Sequence, residues 1–497
     1  MTITNLLPIL VPLIGFLGCL LAKEHSLYQR IVSIICAICY LVIGIGLTRF
    51  DVGLDGSSNL GFGAWPEPFS IRFAFNPLAN LLILVTGISY LSTTLYADIG
   101  TERKESSFEL ALIHLVVSGV SGSFMTQDLF NMYVFFEITL IASFVSTILS
   151  EKKNRLKGAM IYIVLNLLSS FLFLLGAGLT YIYLKTLDLE QIPKVAEFLY
   201  ATHPKTVLGI NALLFCAFAI KAALFPFYSW LPASYHRLSP RLSGFYAGLL
   251  TKLGLFAIFR VCFISFHVTA HHFYYLIICL AALSMLFGVF GAIVQTHIRR
   301  ILSFHVISQV GYLLCGAYFL MHDDTRIQLA GLTSVVFYMI HHIVVKTNLF
   351  FSAGIILEST GTERLGKLGG LRLKLPIVAI VFAVPALSLA GLPPSSGFWA
   401  KFGLIRSTLD ARNYFLVVTM LAAGFLTVFS MSKIWLNAFW LKPPEDIKFA
   451  NPSKISLLSA GLLSIFSLGI AFFPDLLFKE SLKVANWLQA QILAGKL

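Results

Sequence analysis

The sequence predicts an all-α polytopic membrane protein of about 14 transmembrane helices, the seventh and twelfth broken by proline. Three observations carry that prediction. Of 497 residues, 58% are hydrophobic and only 12% charged, against about 25% charged in an ordinary soluble chain. Apolar stretches of roughly 18 to 25 residues recur from end to end, and about 20 such residues cross a bilayer as a helix. Lysine and arginine fall mostly in the short connections between those stretches, as the positive-inside rule requires.

The expected spans are residues 4–21, 31–48, 73–96, 108–126, 129–149, 158–184 and 206–230 in the first half. They continue with 241–266, 272–295, 301–321, 329–357, 374–410, 413–440 and 455–474. The run Leu6 to Leu21 has no basic residue before it and no small-residue cleavage site after it, so it is expected as a retained first helix. With an N-out start, the loops assigned inside carry 19 Lys and Arg, those outside carry 11, and 6 of the 36 are intramembrane. Both termini are then extracytoplasmic. The Gly- and Pro-rich loop 49–72 is expected as a short hairpin on the outer face. Residues 475–495 carry apolar residues at helical spacing and read as an interfacial amphipathic helix.

Two spans are interrupted alike. Lys221 is followed by Pro226 and by Trp230-Leu231-Pro232, while Pro385 and Pro393-Pro394 precede Lys401. Proline removes a rung of the helical ladder and frees carbonyls at membrane depth, which is tolerated only against protein or a watery cavity. Broken helices in corresponding positions suggest internal repeats around a central path. The chain divides into helices 1–3 (1–107), a first repeat (108–270), a second (271–440), and a last helix with its interfacial tail (441–497).

The net charge of +13 is topological: basic residues punctuate loops and form no face for nucleic acid. Seven cysteines all fall in apolar stretches, and Cys36 and Cys39, although spaced C-x-x-C, have no second pair, histidine or loop beside them. They read as buried thiols. No iron–sulfur or dinucleotide signature occurs, so no cofactor is expected. No metal is expected either, because His341 and His342 lack further ligands.

Five lysines lie inside apolar runs: Lys221, Lys252, Lys346, Lys401 and Lys433. One carboxylate, Glu137 in LFNMYVFFEITLIASF, lies at comparable depth. An intramembrane charge costs about 2.5–3.5 kcal/mol on insertion scales and is rarely idle. Glu137 can match one lysine at most; the others must become neutral or borrow waters, hydroxyls and imidazoles, and a lysine so poised can hold and release a proton. The alternative is snorkelling of the stem to the interface, strongest for Lys433 and for Arg260. His342 and Lys346 are four residues apart, with Tyr338 four earlier, so a Tyr–His–Lys ladder on one helix face is expected. Histidines 267, 271 and 272 read as surface residues. Sodium or potassium favours hard oxygen ligands, carboxylates above all. With Glu137 alone at depth, protons are the expected cargo, and any other cation would take ligands partly from another subunit.

Six segments then become recognisable in order: NMYVFFEITLIASF, KAALFPFYSWLPASYH, AGLLTKLGLFAIFR, RRILSFHVISQVGY, HHIVVKTNLFFSAGI and PALSLAGLPPSSGFWAKF. Through them the chain resembles the antiporter-like membrane subunits shared by respiratory complex I and the Mrp cation/proton antiporters. Within these it is most similar to the D-type branch of the Mrp complexes, because position 401 is lysine where the complex I relatives typically carry glutamate. The resemblance implies inverted repeats and a Glu137–Lys221 pair driving a proton relay through Lys252, His342 and Lys346 to Lys401. It further implies a subunit of a sodium (or potassium)/proton antiporter, working with other Mrp-type subunits in the inner membrane of a bacterium. The alternative is a proton-pumping subunit of a complex I-like oxidoreductase or an energy-converting hydrogenase. His297, Ser303-Phe304, Arg237 and Arg241 depart from the family pattern, all on the cytoplasmic side, where they bear on proton uptake or subunit contacts.

Overall fold

A computed structural model describes residues 6–22, 26–49, 60–61, 70–96, 108–150, 156–444, 447 and 449–495. The described residues form nineteen α-helices. First come α1 (Leu7–Leu21), α2 (Ser26–Arg49), α3 (Pro77–Leu95), α4 (Glu109–Met125), α5 (Leu129–Ser150) and α6 (Leu156–Leu184). Next are α7 (Ile192–Thr202), α8 (Pro204–Lys221), α9 (Trp230–Ser234), α10 (Pro240–Ala257), α11 (Tyr274–Val294) and α12 (Ile298–Leu320). The remainder are α13 (Thr325–Thr360), α14 (Leu371–Lys374), α15 (Pro376–Ala390), α16 (Ser396–Asp410), α17 (Tyr414–Trp435), α18 (Lys454–Phe472) and α19 (Pro474–Gly495).

The all-helical membrane class is therefore observed, whereas fourteen full crossings are not. Among the described residues, eleven helical segments are long and apolar enough to span. The apolar helices α1, α4 and α15 have 15, 17 and 15 residues, and 15 residues reach only about 22 Å. The expected twelfth span is two helices, α15 and α16, and the seventh stops at Lys221. Helix α7 fills part of the segment expected as a loop. Most of the 49–72 hairpin lies outside the described residues; what is seen is a two-residue antiparallel ladder, Leu60 facing Phe73 and Gly61 facing Arg72.

The breaks follow from local chemistry. Helix α8 stops where Ala223 takes φ +56, ahead of Pro226, and the Ile220 carbonyl accepts from both Ala223 N–H and the Trp230 indole N–H at 3.0 Å. Helix α15 stops at Gly391, φ +81, with Leu392 N–H bonded to Leu387 O and Gly391 N–H to Ser388 O, a Schellman closure that glycine makes without a Cβ penalty. Ser395 then caps α16, its side chain accepting from Phe398 N–H at 3.4 Å.

Helices α10, α12 and α13 form the centre, and α10 is buried along its whole length. Helix α13 packs against α3, α10, α12, α15, α16, α18 and α19, so one long helix touches both halves of the chain. Gly254 of α10 faces Ala222 so closely that a Cβ would stand 2.6 Å from its nitrogen, which brings α8's lysine-bearing end against the centre. Exposed apolar residues stripe α2, α5, α6, α11 and α17. Helix α19 lays Ser481, Val484, Ala485 and Leu488 against the protein. Cys36 is buried, but Cys39 is exposed on the apolar outer stripe of α2, against the expectation of a buried thiol, because α2 buries only one side.

Candidate functional site: a buried lysine row

Lys221 sits in the last turn of α8, buried. Its ammonium donates to the Ser170 hydroxyl of α6 at 3.2 Å, and Ser170 in turn donates to the carboxylate of Glu137, a half-buried residue of α5. The implied Glu137–Lys221 pair is thus relayed by a hydroxyl, with the Phe136 ring 5.6 Å from the ammonium. A serine can accept from one group while donating to the next, so the three side chains form a proton-competent chain. A small open cleft adjoins Lys221, lined by Thr139, Ser143, Tyr162, Asn166 and Trp230 among others.

The remaining lysines sit on main-chain carbonyls. Lys252 of α10 is fully buried and donates to Ala247 O at 2.8 Å. Lys346 of α13, also fully buried, donates to Leu302 O of α12 at 3.3 Å. Lys401 of α16 donates to Leu389 O and Ala390 O of α15 at 2.9 and 3.1 Å, with the Tyr312 ring 5.7 Å away. Among the described residues, no ion pair joins any of these three ammonium groups to a carboxylate. Carbonyl dipoles therefore do the work that counter-ions do elsewhere.

His342 lies within electrostatic reach of Lys252, Lys346 and Lys401. It is fully buried, and among the described residues neither ring nitrogen has a hydrogen-bond partner. Thr251, Ser308 and the Gln309 amide nitrogen, on the adjoining α10 and α12, are likewise unpartnered. Buried polar groups without protein partners are the ordinary seats of internal water. The expected Tyr–His–Lys ladder is corrected by these contacts. Tyr338 donates to Gln309 Oε1 and only stacks on His342, ring centroids 6.4 Å apart, so three residues in one register do not make one hydrogen-bonded chain.

Three further groups join the row. Ser170 is the bridge just described. His305 of α12 is fully buried, within hydrogen-bond distance of Ser430 at 3.0 Å. His341 Nδ1 lies 2.9 Å from Ser396 Oγ, which contacts Ser388 and Ser467 at 3.3 and 3.0 Å. Sequence carried a signal for each, a hydroxyl or imidazole within an apolar run, but many hydroxyls share that setting, and some, as in Ser123, Ser303 and Thr333, bond a carbonyl of their own helix. Lys433 neither snorkels nor joins the row: it donates to Ile293 O and Gln295 O at 2.8 and 2.9 Å, closing the end of α11. Arg260 does not snorkel either; it donates to Gln127 and lies 5.5 Å from the Trp487 ring of α19.

Two of the departures on the side assigned to the cytoplasm, Arg241 and His297, are fastenings. Arg241, fully buried, donates twice to Tyr96 O at 2.9 and 2.6 Å, closing the C-terminus of α3, and pairs with Glu109 at 3.9 Å. Full burial removes it from any contact with another subunit. Arg299 pairs with Glu363 at 2.7 Å and donates to Leu238 O, and His297 bridges Arg364 through the backbone.

Residues 126–427 match the profile of the NADH:quinone oxidoreductase/Mrp antiporter transmembrane family. The D-type Na(+)/H(+) antiporter subunit of Alkalihalophilus pseudofirmus is 37% identical over 488 residues, 97% of this chain and 96% of that one. Its counterpart in Bacillus subtilis is 36% identical, covering 89% and 88%. A chain of the Mrp complex from Dietzia superposes with a TM-score of 0.87 at 27% identity, covering 99% and 100%. A chain of respiratory complex I from Thermus thermophilus, 21% identical, shares the fold with a TM-score of 0.83 over 97% and 99%. With a family profile across more than half its length and relatives aligned nearly end to end, this chain belongs to the NADH:quinone oxidoreductase/Mrp antiporter family of membrane subunits.

Proposed function

We propose that this chain is the proton-carrying subunit of a multi-subunit monovalent cation/proton antiporter, sodium being the exchanged ion, seated in the inner membrane of a bacterium. The observation that carries the reading is a row of buried basic groups with too few acids. Glu137, Ser170 and Lys221 form one hydrogen-bonded end, Lys252, His342 and Lys346 the middle, and Lys401 the other end. A protonated lysine gains from a neighbouring carbonyl or hydroxyl but is repelled by the next ammonium, so adding a proton at one position favours its loss at another. Unpartnered His342 between Lys252 and Lys346 supplies the step that the lysines cannot bridge alone, through water held at its two nitrogens. The two bacterial relatives are sodium/proton antiporter subunits by name, which supports sodium as the partner ion and a multi-subunit complex as the setting of the relay.

The test is sodium-driven proton movement in everted membrane vesicles carrying the whole complex, with Glu137→Ala, Lys221→Ala and His342→Ala variants. Each is expected to lose most exchange while the complex still co-purifies. Wild-type exchange in a normally assembled Lys221→Ala complex defeats the relay.

A further inference from the structure

The seat of Lys401 is unlike that of the other row members. Its ammonium does not lie on the side of an intact helix; it closes the open C-terminal end of α15, taking Leu389 O and Ala390 O. The end of a helix carries unsatisfied carbonyls and a partial negative charge, and in discontinuous membrane helices such ends coordinate monovalent cations. Ser388 directly precedes Leu389, and its hydroxyl lies 3.2 Å from Ser467 and 3.3 Å from Ser396. Ser396 and Ser467 are 3.0 Å apart, so three hydroxyl oxygens from α15, α16 and α18 form a buried triangle at the same break. This is an oxygen-rich surface of the kind a small hard cation selects. Residues 392–394 of the break are exposed on the outside of the chain, while Lys401 is buried.

We propose that the C-terminal carbonyls of α15 are a monovalent-cation site, held in turn by the protonated Lys401 ammonium and by a sodium-sized ion. The proposal rests on the antiporter reading and names where its non-proton cation binds. The electrostatics require alternation. Facing Lys401 are Tyr312 and His305 from α12 and His341, His342 and Lys346 from α13, none of them an acid. Helix α15 brings no titratable group, α17 only Tyr414 and Lys433 near its ends, and α18 only Lys454 at its first residue. Within α16, Arg406 and Asp410 lie five and nine residues on, and Asp410 is exposed. With no counter-ion among the described residues, the site accepts one positive charge and repels a second. When Lys401 gives its proton to the row, its neutral amine releases the carbonyls and the cation enters, so local charge is unchanged by the exchange. Gly391 keeps the stem in place: a Cβ there would stand 2.7 Å from Lys401 Cδ.

The test is equilibrium binding of radioactive sodium to the detergent-purified complex across a pH series. For the wild type, the apparent affinity at one site per complex is expected to weaken about tenfold per pH unit on the acid side, as one-for-one competition with a proton demands. Lys401→Met leaves the carbonyls open, so that site should bind sodium without pH dependence. Lys401→Arg places a permanently charged group there, and the site should be lost at every pH. Gly391→Ala, which displaces the stem, should flatten the pH dependence in the direction of Lys401→Met. Sodium binding by Lys401→Arg with wild-type stoichiometry overturns the proposal, as does wild-type pH dependence in Lys401→Met. Binding needs no relay, so Glu137→Ala separates the two ideas: it should abolish exchange and leave pH-dependent sodium binding intact.

Discussion

The Ser170 bridge allows the relay to be tested by removing a single oxygen. In Ser170→Ala, Lys221 loses the hydroxyl it donates to at 3.2 Å, and Glu137 loses the hydroxyl that donates to it. A hydrogen bond to a charged group contributes roughly 1.5–3 kcal/mol net. If that stabilisation is needed to pass a proton between the two groups, exchange should slow by about 10- to 150-fold, since about 1.36 kcal/mol is a factor of ten. The assay is initial-rate proton movement in everted vesicles on sodium addition, normalised to assembled complex. Glu137→Gln and the double variant complete a cycle. Because Ser170 acts through Glu137, its removal should cost little once Glu137 is already neutral, a strong departure from additivity. Additive losses, or an unimpaired Ser170→Ala complex, would refute the hydroxyl relay and leave Ser170 as a packing residue.

Gly254→Ala should lower the melting temperature of the purified complex and slow exchange together. Its Cβ would stand 2.6 Å from Ala222 N and 3.0 Å from the Lys221 carbonyl carbon, an overpacking typically worth about 1–3 kcal/mol. Lys433→Met should destabilise by roughly 1–3 kcal/mol, from two carbonyls of α11 left without their donor. Measured in one preparation, its exchange should fall far less than that of Lys346→Met. At the start of α13, backbone N–H groups of Arg326 and Ile327 hold the Asp324 carboxyl below its ordinary range. The sign follows from linkage: a depressed carboxylate pKa adds stability above the unfolded value and loses it as pH falls through the folded one. Hydrogen exchange at Arg326 and Ile327 in the wild type should therefore accelerate relative to Asp324→Asn below about pH 4, and equal rates in both proteins there would contradict the cap.

Much of the fold is local information and was legible. Apolar runs of spanning length, Pro226 after Lys221 and Pro393-Pro394 before Lys401 state where helices run and where they stop, because breakers act on their own ladder. Yet the lengths of α1, α4 and α15 show the limit of hydropathy: a run of apolar residues does not say how many of them the backbone will wind. Helix α7 was hidden for the converse reason, its composition being that of a short amphipathic segment between longer runs.

The candidate site divides in the same way. That Lys221, Lys252, Lys346 and Lys401 lie inside apolar runs of spanning length was decided by sequence alone, whereas their burial in the protein, in place of snorkelling to the interface, was decided by the packing of the helices. Which groups each cation meets, and so whether it closes a helix end or fastens two segments, was decided by tertiary structure. Lys433 and Lys401 look alike along the chain, yet the first closes the end of α11 from 138 and 140 residues away, while the second closes the break of its own span. Arg241 reads as a surface change in a loop and is a buried clamp on Tyr96, 145 residues distant. Ser170 is one serine among many until α6 lays it between Glu137 and Lys221. Composition fixes how many charges must enter the membrane, because burial energy sums over a chain segment. Which oxygen each charge meets depends on helices far apart in sequence, because a hydrogen bond is directional and reaches only about 3 Å.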